Sequence, residues 1–160
     1  MIDLVDCVSL NRLEAMRGDP AWVIVSITDT DKSDARVPDG FGPVLRLKFD
    51  DLDADAMAQG SQGVPFTQKD ARLVMAFLDE MHDHPGYAGV LVHCEAGRSR
   101  SAAIAILISA LYGGKFAHER RVDGWNDLVL RMLESTAGKR VVRPQGMVVV
   151  PGTRLSCADA

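Results

Sequence analysis

Three shortages limit what this 160-residue sequence can be. It has only three cysteines, Cys7, Cys94 and Cys157, which are too few and too scattered for a disulfide framework or a paired-cysteine metal site, so a cytoplasmic setting is expected. The longest apolar run, residues 102–112, has about half the length that crosses a bilayer, and the first residues lack the basic start of a signal peptide. The 18 Lys and Arg residues do not outnumber the 22 Asp and Glu residues. Neither a membrane nor a nucleic acid is therefore an expected partner.

The sequence does have the composition of a folded domain. Apolar residues make up 47% of it and charged residues 25%, which is the balance of an ordinary globular chain. No repeat and no linker divides it, and a domain of this length buries roughly 70% of its unfolded surface. We therefore expect a single domain over residues 1–160, with a disordered tail from about residue 152.

The spacing of apolar residues predicts strands that alternate with helices. Short β-branched or alternating segments predict strands at residues 4–8, 22–27, 44–49 and 89–93. Capping residues and apolar faces predict helices from Ser9 to about residue 17, from the Thr67–Asp70 capping box to His84, at 101–112, and at about 123–134 with Trp125, Leu128, Val129 and Met132 inward. Further predictions are an exposed loop at 28–43, a mobile connection at 56–65, and a tail with apolar pairs at 141–142 and 147–150. This alternation favours an α/β fold with a central, mostly parallel sheet flanked by helices.

The candidate catalytic residues lie in the turn between the predicted strand at 89–93 and the predicted helix at 101–112. It reads His-Cys-Glu-Ala-Gly-Arg-Ser-Arg-Ser over residues 93–101. A turn that enters a helix N-terminus presents unpaired N–H groups and the positive end of the helix dipole, which together bind an anion. A thiol in that field loses its proton readily, so Cys94 is expected to be a thiolate nucleophile. Gly97 lets the backbone bend, and Arg100 offers a planar, two-pronged donor for phosphate oxygens.

This segment resembles the signature of the cysteine-dependent protein tyrosine phosphatase superfamily: His-Cys, five residues, Arg, then Ser or Thr. The short chain makes it most similar to small, bacterial-type, dual-specificity-like members, which implies a phosphatase-like fold with the cysteine loop between a strand and a buried helix. The resemblance implies that Cys94 accepts the phosphoryl group, that Ser101 stabilises the departing thiolate, and that His93 orders the loop from behind. The phosphate loop that it implies comprises Glu95, Ala96, Gly97, Arg98, Ser99 and Arg100.

The reaction also needs a carboxylic acid. Phosphoryl transfer to sulfur leaves an alkoxide or phenoxide, so an acid must protonate the departing oxygen, and the same carboxylate can then activate water. The resemblance implies an Asp on an upstream loop, and the acidic residues after the predicted strand at 44–49 are the natural source. Asp51 follows Phe49 and Asp50 beyond the strand, as the acid does in small relatives, so the resemblance implies that Asp51 is the general acid. Asp50, Asp53 and Asp55 remain alternatives.

The expected substrate is a phosphorylated protein or a small phosphate ester, with no metal or other cofactor. Glu95 and Ala96 place a negative charge and no lysine in the loop, unlike many relatives that act on inositol phospholipids, so such headgroups are disfavoured. Arg98 would at most favour an anionic neighbour on the substrate. The pair at residues 120–121 is interpreted as a solvated helix end, and Cys7 as a small core residue rather than a redox partner of Cys94.

Three other interpretations stay open. A rhodanese-type sulfurtransferase also uses a cysteine on a strand-to-helix loop, but its arginine closes a loop one residue shorter, where this sequence has Ser99. A non-enzymatic phosphate-binding module would lack a working acid. A phosphatase that acts on RNA or a small metabolite would keep the same motif.

Overall fold

The computed structural model of the protein describes residues 1–146 and 148–159. It contains a strand at each of the four predicted positions, and strands and helices alternate along much of the chain. In chain order they are β1 (Leu4–Ser9), α1 (Leu10–Glu14), β2 (Trp22–Thr28), β3 (Val44–Lys48), α2 (Ala54–Ala58), α3 (Gln68–Asp83), β4 (Gly89–Cys94), α4 (Arg100–Tyr112), β5 (Lys115–Phe116), β6 (Arg120–Arg121), α5 (Asp127–Ala137) and β7 (Val148–Val149).

Five parallel strands form the central sheet, in the order β3-β2-β4-β1-β5. The middle strand, β4, is buried along its whole length, which explains its continuous apolar sequence. Its end pairs with the ends of both neighbours: Ser9 of β1 lies opposite Cys94, and Ser26 of β2 lies opposite His93. The carboxyl ends of β1, β2 and β4 therefore meet at one edge of the sheet, where ligands bind in open α/β folds.

Helices cover both faces of this sheet. On one face α4 packs against β1 and β4, and α5 packs against α3 and α4. On the other face a smaller cluster joins Leu13 of α1 to Val8, Ile24 and Leu91. Ten of the thirteen residues of α4 are buried, as its all-round apolar sequence predicted. The expectation of a central, mostly parallel sheet flanked by helices is confirmed.

Two helices have bounds that the sequence misplaced. Helix α1 is capped by Ser9 as predicted but ends at Glu14, because the next N–H groups, of Ala15 and Met16, form tighter three-residue bonds. Helix α5 begins at Asp127 rather than near 123, because the side chain of Asn126 accepts the Val129 N–H and caps it there. The buried face of α5 shifts accordingly, and of the four residues predicted to face inward only Val129 is fully buried.

Two connections also differ from expectation. The first part of the predicted mobile connection is helix α2, which begins because the Asp53 side chain accepts the Ala56 N–H at 2.7 Å. Arg120 and Arg121 do not end a helix but form β6, paired antiparallel with β7. This pairing includes part of the apolar segment predicted at 147–150, of which Met147 lies outside the described residues.

The last residues of the described chain pack back onto the domain. Cys157 forms a bridge with Val141, and the Leu155 N–H donates to Ser109 Oγ at 2.9 Å. None of the helices in the described residues has both the length and the apolar character needed to span a membrane.

Candidate active site

The candidate site begins at Cys94, the last residue of β4. Residues 95–99 connect it to α4, which begins at Arg100. Gly97, in the middle of this connection, has φ of +71°, and a Cβ added there would lie 2.4 Å from the backbone of Val8 and Ser9. Only glycine fits a left-handed position pressed against another strand in this way. The connection is thus seated on the end of β1, where the Leu10 N–H also donates to Glu95 O at 3.2 Å.

Cys94 lines a cavity of about 640 Å³ although the residue is only 1% exposed. Cys94 is therefore a buried part of the cavity lining, and its sulfur lies 3.1 Å from the hydroxyl oxygen of Ser101 in the first turn of α4. Ser99, the N-cap residue of α4, makes no side-chain bond to the helix backbone, and the first turn carries no acidic residue. The positive end of α4 is accordingly left for another anion.

Arg100 is buried and rigidly held. Its Nη1 donates to the Phe49 carbonyl oxygen at 2.7 Å and lies 2.8 Å from Asp29 Oδ1, while its guanidinium carbon lies 5.8 Å from the centre of the Phe49 ring. Its Nε is buried without a hydrogen-bond partner among the described residues. An unpaired buried donor costs about 1–3 kcal/mol. The arrangement therefore suits a ligand oxygen as the missing acceptor.

Asp29 fixes Arg100 from the end of β2. Burial raises the pKa of Asp29, but hydrogen bonds from Lys32 and Arg100 outweigh that effect and hold the pKa below its ordinary value. The carboxylate is ionised at neutral pH and offsets part of the charge of Arg100. Lys32 lies 2.9 Å from Asp29 and 3.3 Å from Glu95, so it links the connection after β4 to the one after β2.

Asp51 lines the same cavity and is positioned by two donors. Its Oδ1 accepts the Ser99 hydroxyl at 2.7 Å and the Asn126 side-chain N–H at 2.9 Å. The same Asn126 amide donates to Leu52 O at 3.0 Å, while its oxygen caps α5. Asp51 is thus tied both to the connection after Cys94 and to the start of α5.

The three alternative carboxylates lie in other surroundings. Asp50 also lines the cavity, but its two oxygens accept the Val64 N–H and the N–H and hydroxyl of Thr30 at 2.7–3.0 Å. These backbone bonds, first that from Val64, lower the pKa of Asp50. Asp53 caps α2, and Asp55 lies in the first turn of that helix. Of the four, Asp51 is the one that lines the cavity and is held by the residues around Cys94.

His93 lies behind the cysteine and is completely buried. Its Nε2 is 2.7 Å from Ser26 Oγ on β2. Burial lowers the pKa of His93 to about 4, so the ring is neutral at physiological pH. The residue joins β4 to β2 beneath the site and does not line the cavity.

Two residues of the site were not singled out from the sequence. Asp29 lies in the predicted exposed loop, although its place directly after the buried strand β2 is a signal that could have identified it. Asn126 was absorbed into the helix predicted to begin near 123, although asparagine is a favoured cap. Both residues act through contacts that are distant in sequence.

No protein-family model matches the chain, and no curated protein matches it either.

Proposed function

We propose that the protein is a phosphate monoester hydrolase that works through a phosphocysteine intermediate, as a protein tyrosine or dual-specificity phosphatase does. One observation carries the proposal: Asp51, from the connection after β3, lines one cavity together with Cys94 and Arg100, which come from a single segment between β4 and α4. Ser101 lies within hydrogen-bond distance of the sulfur. This set supplies a nucleophile, a charge clamp, an acid and a donor for the leaving sulfur.

In the first step the Cys94 thiolate attacks the phosphorus of the bound ester. The S–P bond forms as the P–O bond to the alcohol breaks, and the departing oxygen takes a proton from Asp51. Arg100 and the N–H groups at the start of α4 stabilise the equatorial oxygens, whose positions change little during transfer. Because Arg100 is already fixed by Phe49 and Asp29, little reorganisation is required.

In the second step water hydrolyses the phosphocysteine. Asp51, now a carboxylate, takes a proton from the water as its oxygen bonds to phosphorus and the S–P bond breaks. The Ser101 hydroxyl, 3.1 Å from the sulfur, donates to the thiolate as it departs. The products of this step are inorganic phosphate and the free enzyme.

The substrate side of the proposal follows from charge. The cavity carries Asp29, Asp31, Asp50, Asp51 and Glu95 beside the single cation of Arg100. The negative charge of these carboxylates repels a lipid headgroup that carries several phosphates. It therefore favours a substrate with a single phosphate ester, on a protein or a small molecule. The three cysteines are free thiols, in keeping with the proposed cytoplasmic setting, where thiols stay reduced.

The decisive experiment is hydrolysis of p-nitrophenyl phosphate by the wild-type protein and by Cys94→Ser. We expect turnover by the wild type, competitive inhibition by vanadate, and no turnover by the variant, whose hydroxyl is a far weaker nucleophile. Phosphate-ester hydrolysis that survives the substitution would contradict the mechanism. Sulfur transfer from thiosulfate to cyanide without ester hydrolysis would favour the sulfurtransferase, and phosphate binding without either activity would favour a binding module.

A further inference from the structure

A second cavity, of about 490 Å³, lies beside the phosphate loop on the side of β1. Four arginines line it, and they come from three separate parts of the chain: Arg12 from α1, Arg98 from the connection after Cys94, and Arg120 and Arg121 from β6. We call this cavity the arginine groove. These residues are far apart in the sequence, and the fold brings them together.

The arginine groove adjoins the candidate active site. Ala96 lines both cavities, so one residue of the loop separates them. Gly97, which also lines the groove, is pressed against the backbone of Val8 and Ser9. The wall between the two cavities is therefore part of the loop that would hold the phosphate ester, within a few residues of Cys94.

The groove has a charge opposite to that of the neighbouring cavity. Arg120 is held by the buried Asp6, with its Nε 2.7 Å from Oδ1, and Asp6 Oδ2 also lies 2.9 Å from His118 Nδ1. Asp123 lies 2.9 Å from Arg121 and 3.9 Å from Arg98. Four guanidinium groups thus face two carboxylates, which leaves an excess of two positive charges in a chain whose net charge is −4.

Three of the four arginines are exposed to solvent and can therefore contact a ligand. The side chains of Arg98 and Arg121 are 55% and 53% exposed, and Arg12 is exposed on α1 with no carboxylate oxygen within ion-pair distance in the described residues. Arg120 is fixed at the groove by Asp6, so it supplies a preorganised part of the charge. Guanidinium groups match phosphate and carboxylate oxygens in two-pronged geometry.

From this geometry we infer that the arginine groove binds a second anionic group, a phosphate or a carboxylate, carried by the same substrate molecule next to the phosphate ester. The inference rests on the proposed function and adds a substrate class to it. Such a substrate would place its ester above Cys94, in a cavity lined with carboxylates, and its second anion across Ala96 in the groove. The opposite charges of the two cavities would set the direction in which the substrate lies.

The test compares three synthetic peptides of one sequence that contain phosphotyrosine. The peptides differ only in the residues that flank the phosphotyrosine. These are glutamine in the first peptide, glutamate in the second and phosphothreonine in the third. We expect the wild type to have a kcat/KM about tenfold higher for a charged peptide than for the glutamine peptide at low salt, and this preference should shrink as salt screens it. A preference for the phosphothreonine peptide alone identifies the second group as phosphate, and a preference for both charged peptides identifies a site for any anion.

The matched variants are the double variant Arg12→Gln/Arg121→Gln and the control Arg72→Gln, which removes an exposed arginine of α3 outside the groove. The double variant should reduce the preference to below about threefold, while Arg72→Gln keeps it and both hydrolyse p-nitrophenyl phosphate at the wild-type rate. Equal wild-type rates on all peptides, or a preference that survives the double substitution, would overturn the inference that the groove binds a second anion. Either result would leave the proposed function in place. Failure of the wild type to hydrolyse p-nitrophenyl phosphate would instead overturn the proposed function, and the groove's role with it.

Discussion

Individual residues of the candidate site owe their positions to partners on other elements. Asp51 lies on an irregular segment, yet Ser99 and Asn126 bind the same carboxylate oxygen. Two donors on one oxygen fix the direction of the carboxylate of Asp51, which lines the cavity of Cys94. Asn126 can do this because its oxygen is already engaged as the cap of α5. It is a positioning residue and would not touch the substrate.

At this scale we predict that Asn126→Ser impairs the acid and leaves the nucleophile intact. Serine can still cap α5 but lacks the side-chain amide N–H groups that Asn126 donates to Asp51 and Leu52. For an alkyl phosphate, whose leaving group needs a proton, kcat should fall about tenfold, which is part of the 10²–10⁴-fold that general acids contribute. For p-nitrophenyl phosphate, whose leaving group needs little help, kcat should stay within about twofold.

The ratio of the two rates is the measurement that separates positioning from folding. A variant that is merely less stable would lose both activities in proportion. If the ratio in Asn126→Ser matched that of the wild type, Asn126 would have no part in acid catalysis.

Among the elements, the connection between β4 and α4 depends on the end of β1. The parallel register brings Ser9 opposite Cys94, so the chain that leaves β4 passes over the chain that leaves β1. Gly97 makes this close passage possible, because a side chain there would overlap the backbone below it. The conformation of the loop is thus set jointly by a left-handed residue and by a neighbouring strand.

We predict that Gly97→Ala displaces this loop, whereas Gly138→Ala does not. Both glycines have positive φ, +71° and +66°, but a Cβ at Gly138 would meet no atom within 4 Å. Gly138→Ala should therefore lose only the cost of a left-handed alanine, about 1–2 kcal/mol in urea unfolding, with normal p-nitrophenyl phosphate hydrolysis. Gly97→Ala should bear that cost and a steric clash, and should lose activity by at least about 100-fold.

The comparison of the two glycine variants isolates the contact with β1 from the cost of backbone conformation. Equal losses of stability and equal activities would mean that the loop can move away from β1 at no expense to the site.

Over the whole molecule, charged side chains of opposite sign lie on the two sides of the candidate site at the edge of the sheet. Carboxylates surround the cavity of Cys94 on the side of β2 and β3, and arginines gather on the side of β1 and β6. Beneath this edge His93 is enclosed by the strands as a neutral ring. The stability of the whole fold is therefore linked to the protonation of one buried histidine.

We predict that acid destabilises the fold through His93 in a defined pH window. Burial lowers the pKa of His93 from 6.5 to about 4. Between these two pH values the histidine is protonated in the unfolded chain but neutral in the folded chain. The free energy of unfolding should thus be fully retained above pH 6.5, fall by about 3 kcal/mol towards pH 4, and level off for this group below it. The lowered pKa values of Asp29 and Asp50 act at still lower pH.

Urea unfolding at a series of pH values measures this slope. His93→Gln keeps a side chain that can reach Ser26 but does not titrate, so its slope between pH 6.5 and 4 should be nearly flat, whatever its overall stability. His84→Gln, which removes an exposed histidine, should keep the wild-type slope. An unchanged slope in His93→Gln would assign the acid sensitivity to other groups.

Features that depend on neighbouring residues could be predicted from the sequence. The Thr67–Asp70 capping box, the Ser9 cap and the enclosed helix α4 all form as predicted, because a cap or an apolar face needs only residues a few positions apart. The parallel sheet follows from the alternation of strands and helices. The assignment of Cys94 and Arg100 to one site stays a prediction, and it used only the segment 93–101 with the strand before it and the helix after it.

Which distant side chains meet depends on how the elements pack. The sequence left four carboxylates as candidates; hydrogen bonds to Thr30 and Val64, to Ala56 or to Asn126 distinguish three of them, and the fourth, Asp55, lies in the first turn of α2. The pairing of Asp29 with Arg100 and the gathering of four arginines beside Ala96 depend on the order and register of the strands. Sequence spacing reports what lies on one face of one element, whereas a binding cavity forms between elements, so its composition follows from how they pack.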